Sequence, residues 1–256
     1  MCRRPLRHLA VSLSLALLCV SLACESTPTP TAPSGSLQVT APAPTLRSGD
    51  TTQLVVATQG TAAPTVTWTS SDASVASVSG GGLVTARRAG RATITASTGS
   101  ASGQVALRVV PDFSGTWTGA LSRDQPTCAP SSAAVVCTPG TPAEALRAPL
   151  TLVLTQTGPV VTGTLVDGLE PQVVVTVQGQ VDDIDSLLLE GASASVPGVG
   201  TPPSRRLTVS SFRASYDPSL QTITGAFRLA ADRLDAAGAF VVDYAFQGRF
   251  RDLPRR

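Results

Sequence analysis

An all-β fold in two modules is what this sequence predicts, and three observations carry the prediction. Apolar and polar residues alternate with a period of two in segment after segment, and no sustained helical period appears. Clusters of Gly, Pro, Ser and Asp separate those segments, with 22 Gly and 20 Pro in 256 residues. The 42% of apolar residues include only 4% aromatics over the whole chain, which suits cores built from short aliphatic strands.

Residues 1–23 stand apart from this pattern. Arg3, Arg4 and Arg7 precede an apolar run over residues 9–20, and the small Ala23 closes the segment, which gives the three parts of a secretory signal. A bilayer-spanning helix needs about 20 apolar residues and this run is shorter, so residues 1–23 are expected to be removed. The stretch "VSLAC", residues 20–24, resembles the lipobox of bacterial lipoproteins, with Ser21 where that family prefers Leu. The resemblance implies that Cys24 is lipidated, becomes the mature N-terminus and anchors the chain to a membrane. Each buried acyl CH₂ contributes about 0.8 kcal/mol, so several chains hold firmly. Glu25 differs from the Asp that commonly retains lipoproteins at the inner membrane, which points to the outer membrane. After Cys24, residues 25–36 continue with "ESTPTPTAPSGS", too rich in Pro, Thr and Ser to bury anything, so that residues 24–36 read as a lipidated Cys and a semi-extended tether.

Processing narrows the chemistry that the chain can perform. Loss of Arg3, Arg4 and Arg7 takes 19 basic residues to 16 against 17 acidic ones, a formal charge of −1. That leaves no basic field to recruit nucleic acid. The only histidine, His8, leaves with the leader, and the chain contains no Lys. The commonest general base, the usual partner of Ser or Cys nucleophiles, the Schiff-base amine and the preferred zinc ligand are then all absent. No cofactor and no catalytic residue is expected. Paired carboxylates such as Glu190 and Asp243 keep glycoside hydrolysis open as a third reading.

Of five cysteines, Cys2 and Cys19 leave with the leader and Cys24 takes lipid. Cys128 and Cys137 remain, and an oxidising compartment predicts a disulfide between them. Closing so short a ring contributes roughly 2.5 to 3 kcal/mol in the chain-entropy picture.

Residues 37–110 form the first module. Strands are expected around Leu37 and Val39, Leu54 and Val56, Val66 and Trp68, Ala92 to Ala96, and Val105 to Val109, with turns at "RSGD", "SSDAS", "SGGG" and "RAG". Such short strands close as a two-layer sandwich, with Trp68 the one large aromatic for its core. Residues 66–97, "VTWTSSDASVASVSGGGLVTARRAGRATITAS", closely resemble the bacterial immunoglobulin-like group 2 (BIG2) domain. Asp72, Val75, Ala76, Val78, Gly82, Leu83, Thr85, Gly90 and Ile94 fall where that pattern wants them, while Arg87 and Arg88 replace small residues. The resemblance implies a seven-stranded sandwich of bacterial surface proteins, serving as spacer or binding module.

Residues 112–253 present eight strand-like segments joined in part by tight turns, each with one apolar side. An antiparallel up-and-down barrel buries that side and leaves no edge. "GTWTG", residues 115–119, resembles the Gly-x-Trp opening of lipocalin-type and avidin-type barrels. That resemblance implies Trp117 on the barrel floor with Arg249 or Arg251 packed over it. Eight strands enclose either packed side chains or one small apolar ligand, which Phe227, Leu229, Phe240, Val242, Tyr244 and Phe246 would line. Asp182, Asp183 and Asp185 offer oxygens to calcium but lack the pattern of an EF-hand loop, and a solvated turn suits them better. The expected function is a non-catalytic envelope lipoprotein whose Ig-like stalk presents a barrel to a small apolar ligand or a surface partner. The alternative is adhesion to cell-surface glycans or proteins through a barrel with a solid core.

Overall fold

The computed structural model describes residues 35–57, 65–99, 101–124, 126–129, 137, 147–168, 173–182, 185–193, 205–234, 237 and 239–256. The leader, Cys24, nearly all of the tether and Asp183 lie outside the described residues. So does the side chain of Phe240.

Among the described residues the first module has ten strands, most of them short: β1 (Gly35–Ser36), β2 (Gln38–Thr40), β3 (Thr45–Arg47), β4 (Thr51–Gln53), β5 (Val55–Ala57), β6 (Thr67–Ser70), β7 (Ala76–Val78), β8 (Leu83–Ala86), β9 (Gly90–Ser97) and β10 (Ala101–Val110). One sheet runs β1-β10-β9-β6, with β3 also parallel to β10; β4-β8-β7 and the pair β2-β5 supply the other pairings. Inward positions of both sheets meet in an aliphatic core of Leu46, Leu54, Val75, Val84, Ile94, Leu107 and Val109. The "SSDAS" turn is tied by Asp72, whose carboxylate accepts from the amide and hydroxyl of Ser74 at 2.9 and 2.6 Å.

Trp68 departs from expectation. It is only partly buried and packs against the rim of the core, with its ring lying over the Gly82 turn. Leu, Val, Ile and Ala fill the narrow space between such short strands, so the indole is left at the margin.

The second module is β11 (Gly115–Arg123), β12 (Thr127–Cys128), β13 (Arg147–Thr157), β14 (Val160–Asp167), β15 (Val174–Asp182), β16 (Ser186–Ser193), β17 (Arg205–Asp217), β18 (Thr222–Leu234) and β19 (Phe240–Pro254). Neighbours pair antiparallel in the order β11-β13-β14-β15-β16-β17-β18-β19, and β11 pairs with β19 to close eight strands into a barrel. The short β12 is a flap on β19, with Cys128 opposite Tyr244. Connections at one end are tight, such as residues 158–159 between β13 and β14. At the other end they are long, residues 124–146 and 194–204 among them.

Inward positions make one continuous core from Val110 to Leu253. Phe212, Phe227 and Phe250 cluster at its centre, with ring centroids 5.7, 5.7 and 6.4 Å apart. The inward glycines explain how three rings fit. A Cβ on Gly225 would collide with the Arg213 carbonyl oxygen and lie 2.8 Å from the Phe250 ring, and one on Gly248 would lie 2.9 Å from Leu121 and 3.2 Å from Phe227. Glycine here is the space that an aromatic ring occupies.

Gly248→Val is therefore expected to overpack the centre and destabilise the fold by about 1–3 kcal/mol. Urea denaturation should show a lower midpoint with an unchanged slope. Ala226→Val, at an exposed outward position, should stay within about 0.5 kcal/mol.

Candidate functional site

The barrel floor faces the Ig-like module and is organised by Trp117. Its indole is fully buried, and Nε1 donates to the Phe113 carbonyl at 2.8 Å. Arg255 lies over the ring, its guanidinium carbon 4.8 Å from the centroid. Arg249 and Arg251, the residues expected there, are exposed on the outer wall, and Arg249 pairs with Asp124 at 2.8 Å. Two features of β19 account for the difference. The strand continues to Pro254, so that Trp117 bridges to Arg255, and a bulge near Asp252 (φ 48°) resets its inward phase.

The same arginine helps to fasten the two modules. Arg255 Nη1 donates to Asp112 at 2.9 Å, and Arg47 of the sandwich reaches Ser114 at 3.0 Å and Asp112 at 3.5 Å. Gln156 holds the linker from the other side, accepting from the Phe113 amide at 2.7 Å and donating to the Pro111 carbonyl at 3.0 Å. Arg108 reaches across to the Val181 carbonyl at 3.3 Å. Burial opposes ionisation of Asp112, but the Ser114 hydroxyl and amide and the Arg255 charge outweigh it, and the carboxyl titrates below its ordinary range.

The opposite end holds charges inside the barrel. Arg123 at the end of β11 pairs with Asp167 at the end of β14, with side chains 1% and 2% exposed. The Arg123 guanidinium also sits 5.0 Å from the centroid of Phe246, which stacks on Tyr244. Desolvation lowers the pKa of Arg123 against the opposing pull of Asp167 and Tyr244. Asp243, 1% exposed, pairs with Arg233 at 3.3 Å, and Asp232 pairs with Arg206 at 3.1 Å. The Cys128–Cys137 disulfide is formed and packs against the core at this end. Sequence reasoning missed Arg123 and Asp167. The inward parity of β11, continued from Trp117 through Leu121, would have pointed Arg123 inside.

The proposed ligand-lining residues are dispersed or packed. Phe227, Leu229, Tyr244 and Phe246 belong to the continuous core. Val242 is 53% exposed, a correction that follows from a bulge: Ala231 pairs with Tyr244 but Asp232 pairs with Val242, so Asp243 is the extra residue and the phase flips. Asp182 and Asp185 are exposed on the two sides of the β15–β16 turn. Glu190 is exposed on the outer wall, whereas Asp243 is buried, so the two carboxylates share no cleft.

One described concavity lies outside the barrel. It is about 710 Å³ and spans β14 to β17, with Thr162, Gln178, Gln180, Glu190, Ser211 and Arg213 on its surface.

These features define an all-β protein of two docked modules, a barrel with an aliphatic and aromatic core joined to a small sandwich, with a concavity on the barrel's outer wall among the described residues. Residues 35–109 match the bacterial Ig-like domain (group 2), so the sandwich is a domain of that family. Domains of this family occur in bacterial surface or exported proteins. No curated protein matches the chain.

Two outcomes follow. Asp167→Ala strands a buried arginine and is expected to cost about 3–5 kcal/mol, while the double change Arg123→Met/Asp167→Leu should recover most of it; chemical denaturation reads both. Because the folded pKa of Asp112 is depressed, its contribution is present above the unfolded value of about 3.9 and is lost as pH falls through the folded value. Asp112→Asn should flatten that acid limb of a Tm-against-pH profile.

Proposed function

We propose that the protein is an exported, lipid-anchored envelope protein without catalytic activity, whose Ig-like domain and barrel act as one interaction module. Contacts with partners are made from the outside of the barrel. The packed interior carries this reading: three phenylalanine rings cluster in the core beside inward glycines, and a concavity of about 710 Å³ lies on the outer wall. Of the two expectations drawn from the sequence, a ligand carrier and a solid adhesion module, this geometry favours the second. The group 2 Ig-like domain supports placement outside the cytosol. The lipobox-like "VSLAC" supports anchoring through Cys24 at the outer membrane. The ties through Arg47, Asp112 and Arg255 support a sandwich that presents the barrel in a set orientation rather than swinging on a free linker.

Titration of the purified full-length protein with an environment-sensitive fatty-acid probe is expected to give no saturable uptake. Stoichiometric uptake would replace the module by a carrier. In the host, Cys24→Ser should move the protein from the membrane fraction to the soluble one.

A further inference from the structure

We propose that the outer wall of the barrel over β14 to β17 binds a neutral oligosaccharide, in a groove centred on Gln178 and Glu190. The inference rests on the interaction-module reading above and adds the chemistry of the partner. Two adjoining concavities, of about 710 and 430 Å³, share Gln178 and Glu190 and so form one extended depression across four strands. A small-molecule site typically occupies roughly 300–1,000 Å³, so this depression is large enough for a few sugar rings.

Its surface is matched to hydroxyl groups. Thr162, Gln178, Gln180 and Thr208 present hydroxyls and amides, each able to donate and to accept. Two charged side chains line the depression, Glu190 and Arg213, of opposite sign, which leaves no net charge to select an ion. Val160, 53% exposed, and the half-buried Leu188 add an apolar patch for the C–H face of a ring.

The backbone of the groove is irregular where the wall should be regular. Leu189 pairs with Phe212, but the next pair is Gly191 with Val209, so the ladder skips Glu190 on one strand and two serines on the other. On the far side, pairing with β18 jumps from Ser210 to Arg213. Ser211 is thus outside both ladders and holds a left-handed backbone, φ 53°, inside the concavity. A bulge of this kind re-aims side chains and interrupts the pairing of the ladder, and the left-handed serine is strain that the surrounding wall must hold in place.

An extended peptide is the poorer occupant. Peptides recognised by sheets add to a free edge, and this closed wall has none there.

The test is isothermal titration of the purified full-length protein with cellohexaose, chitohexaose and maltohexaose, beside a neutral Ser/Thr-rich hexapeptide. At least one hexasaccharide is expected to bind saturably with a Kd below about 1 mM. Gln178→Ala and Glu190→Ala should each weaken it about tenfold without lowering Tm. Arg228→Ala, at an exposed outward position on β18, should change nothing. Absence of saturable binding to all three sugars would overturn the proposal, as would preference for the peptide or indifference to both groove substitutions. The fatty-acid probe separates the two levels: its uptake would sink the filled-module reading, whereas sugar failure without uptake would sink only the groove.

Discussion

Arg255 lying over Trp117 is the contact on which the remaining architecture depends. An up-and-down barrel exists only when its last strand finds its first, and here the seam ends where Trp117 meets Arg255 across the strands. The guanidinium covers an indole that is already fixed by its bond to the Phe113 carbonyl, so the floor is sealed by packing and charge together. Because Arg255 also grips Asp112, closure of the barrel and docking of the sandwich share one residue. The Ig-like domain is thereby held against the barrel floor.

With Phe212, Phe227 and Phe250 at the centre and glycines beneath them, the interior is spent on packing, as in a core rather than a cup. The far end carries a buried ion pair, Arg123 with Asp167, and a buried Asp243 paired with the partly exposed Arg233. Such pairs are dear in desolvation and need close partners, which the aromatic faces of Phe246 and Tyr244 help to supply. The two ends of the barrel therefore differ in kind: one is a docking floor of tight turns, the other a charged rim beside the disulfide. On the side wall, a strand irregularity accompanies the depression over β14 to β17.

Much of the architecture was legible in the chain. Period-two alternation gave the strands, turn residues gave their boundaries, and one apolar side on eight consecutive segments implied closure, since a sheet with that pattern must bury one face and hide its edges. The Cys128 and Cys137 pairing was expected from a leader-like N-terminus and the short stretch between them. Less legible was every feature that depends on phase. Val242 was misplaced because a bulge inserts a single residue, and Arg255 rather than Arg249 or Arg251 covers Trp117 because β19 runs on past a second bulge; no composition cue marks an insertion that only the neighbouring strand makes visible. Trp68 was expected at the centre because size suggests burial, yet the space between short strands admits only smaller side chains.

The sequence by itself determined what is local: a leader-like pattern at residues 1–23, an all-β character, the Ig-like motif of residues 66–97, and a chain without lysine whose one imidazole is His8. These follow from residue type and spacing, which need no partner to be read. Only the tertiary structure decided which arginine covers Trp117, that a buried Arg123–Asp167 pair stands at the rim, and that the barrel is full. Each of those depends on register between strands far apart in sequence, where a single extra residue reverses inside and outside.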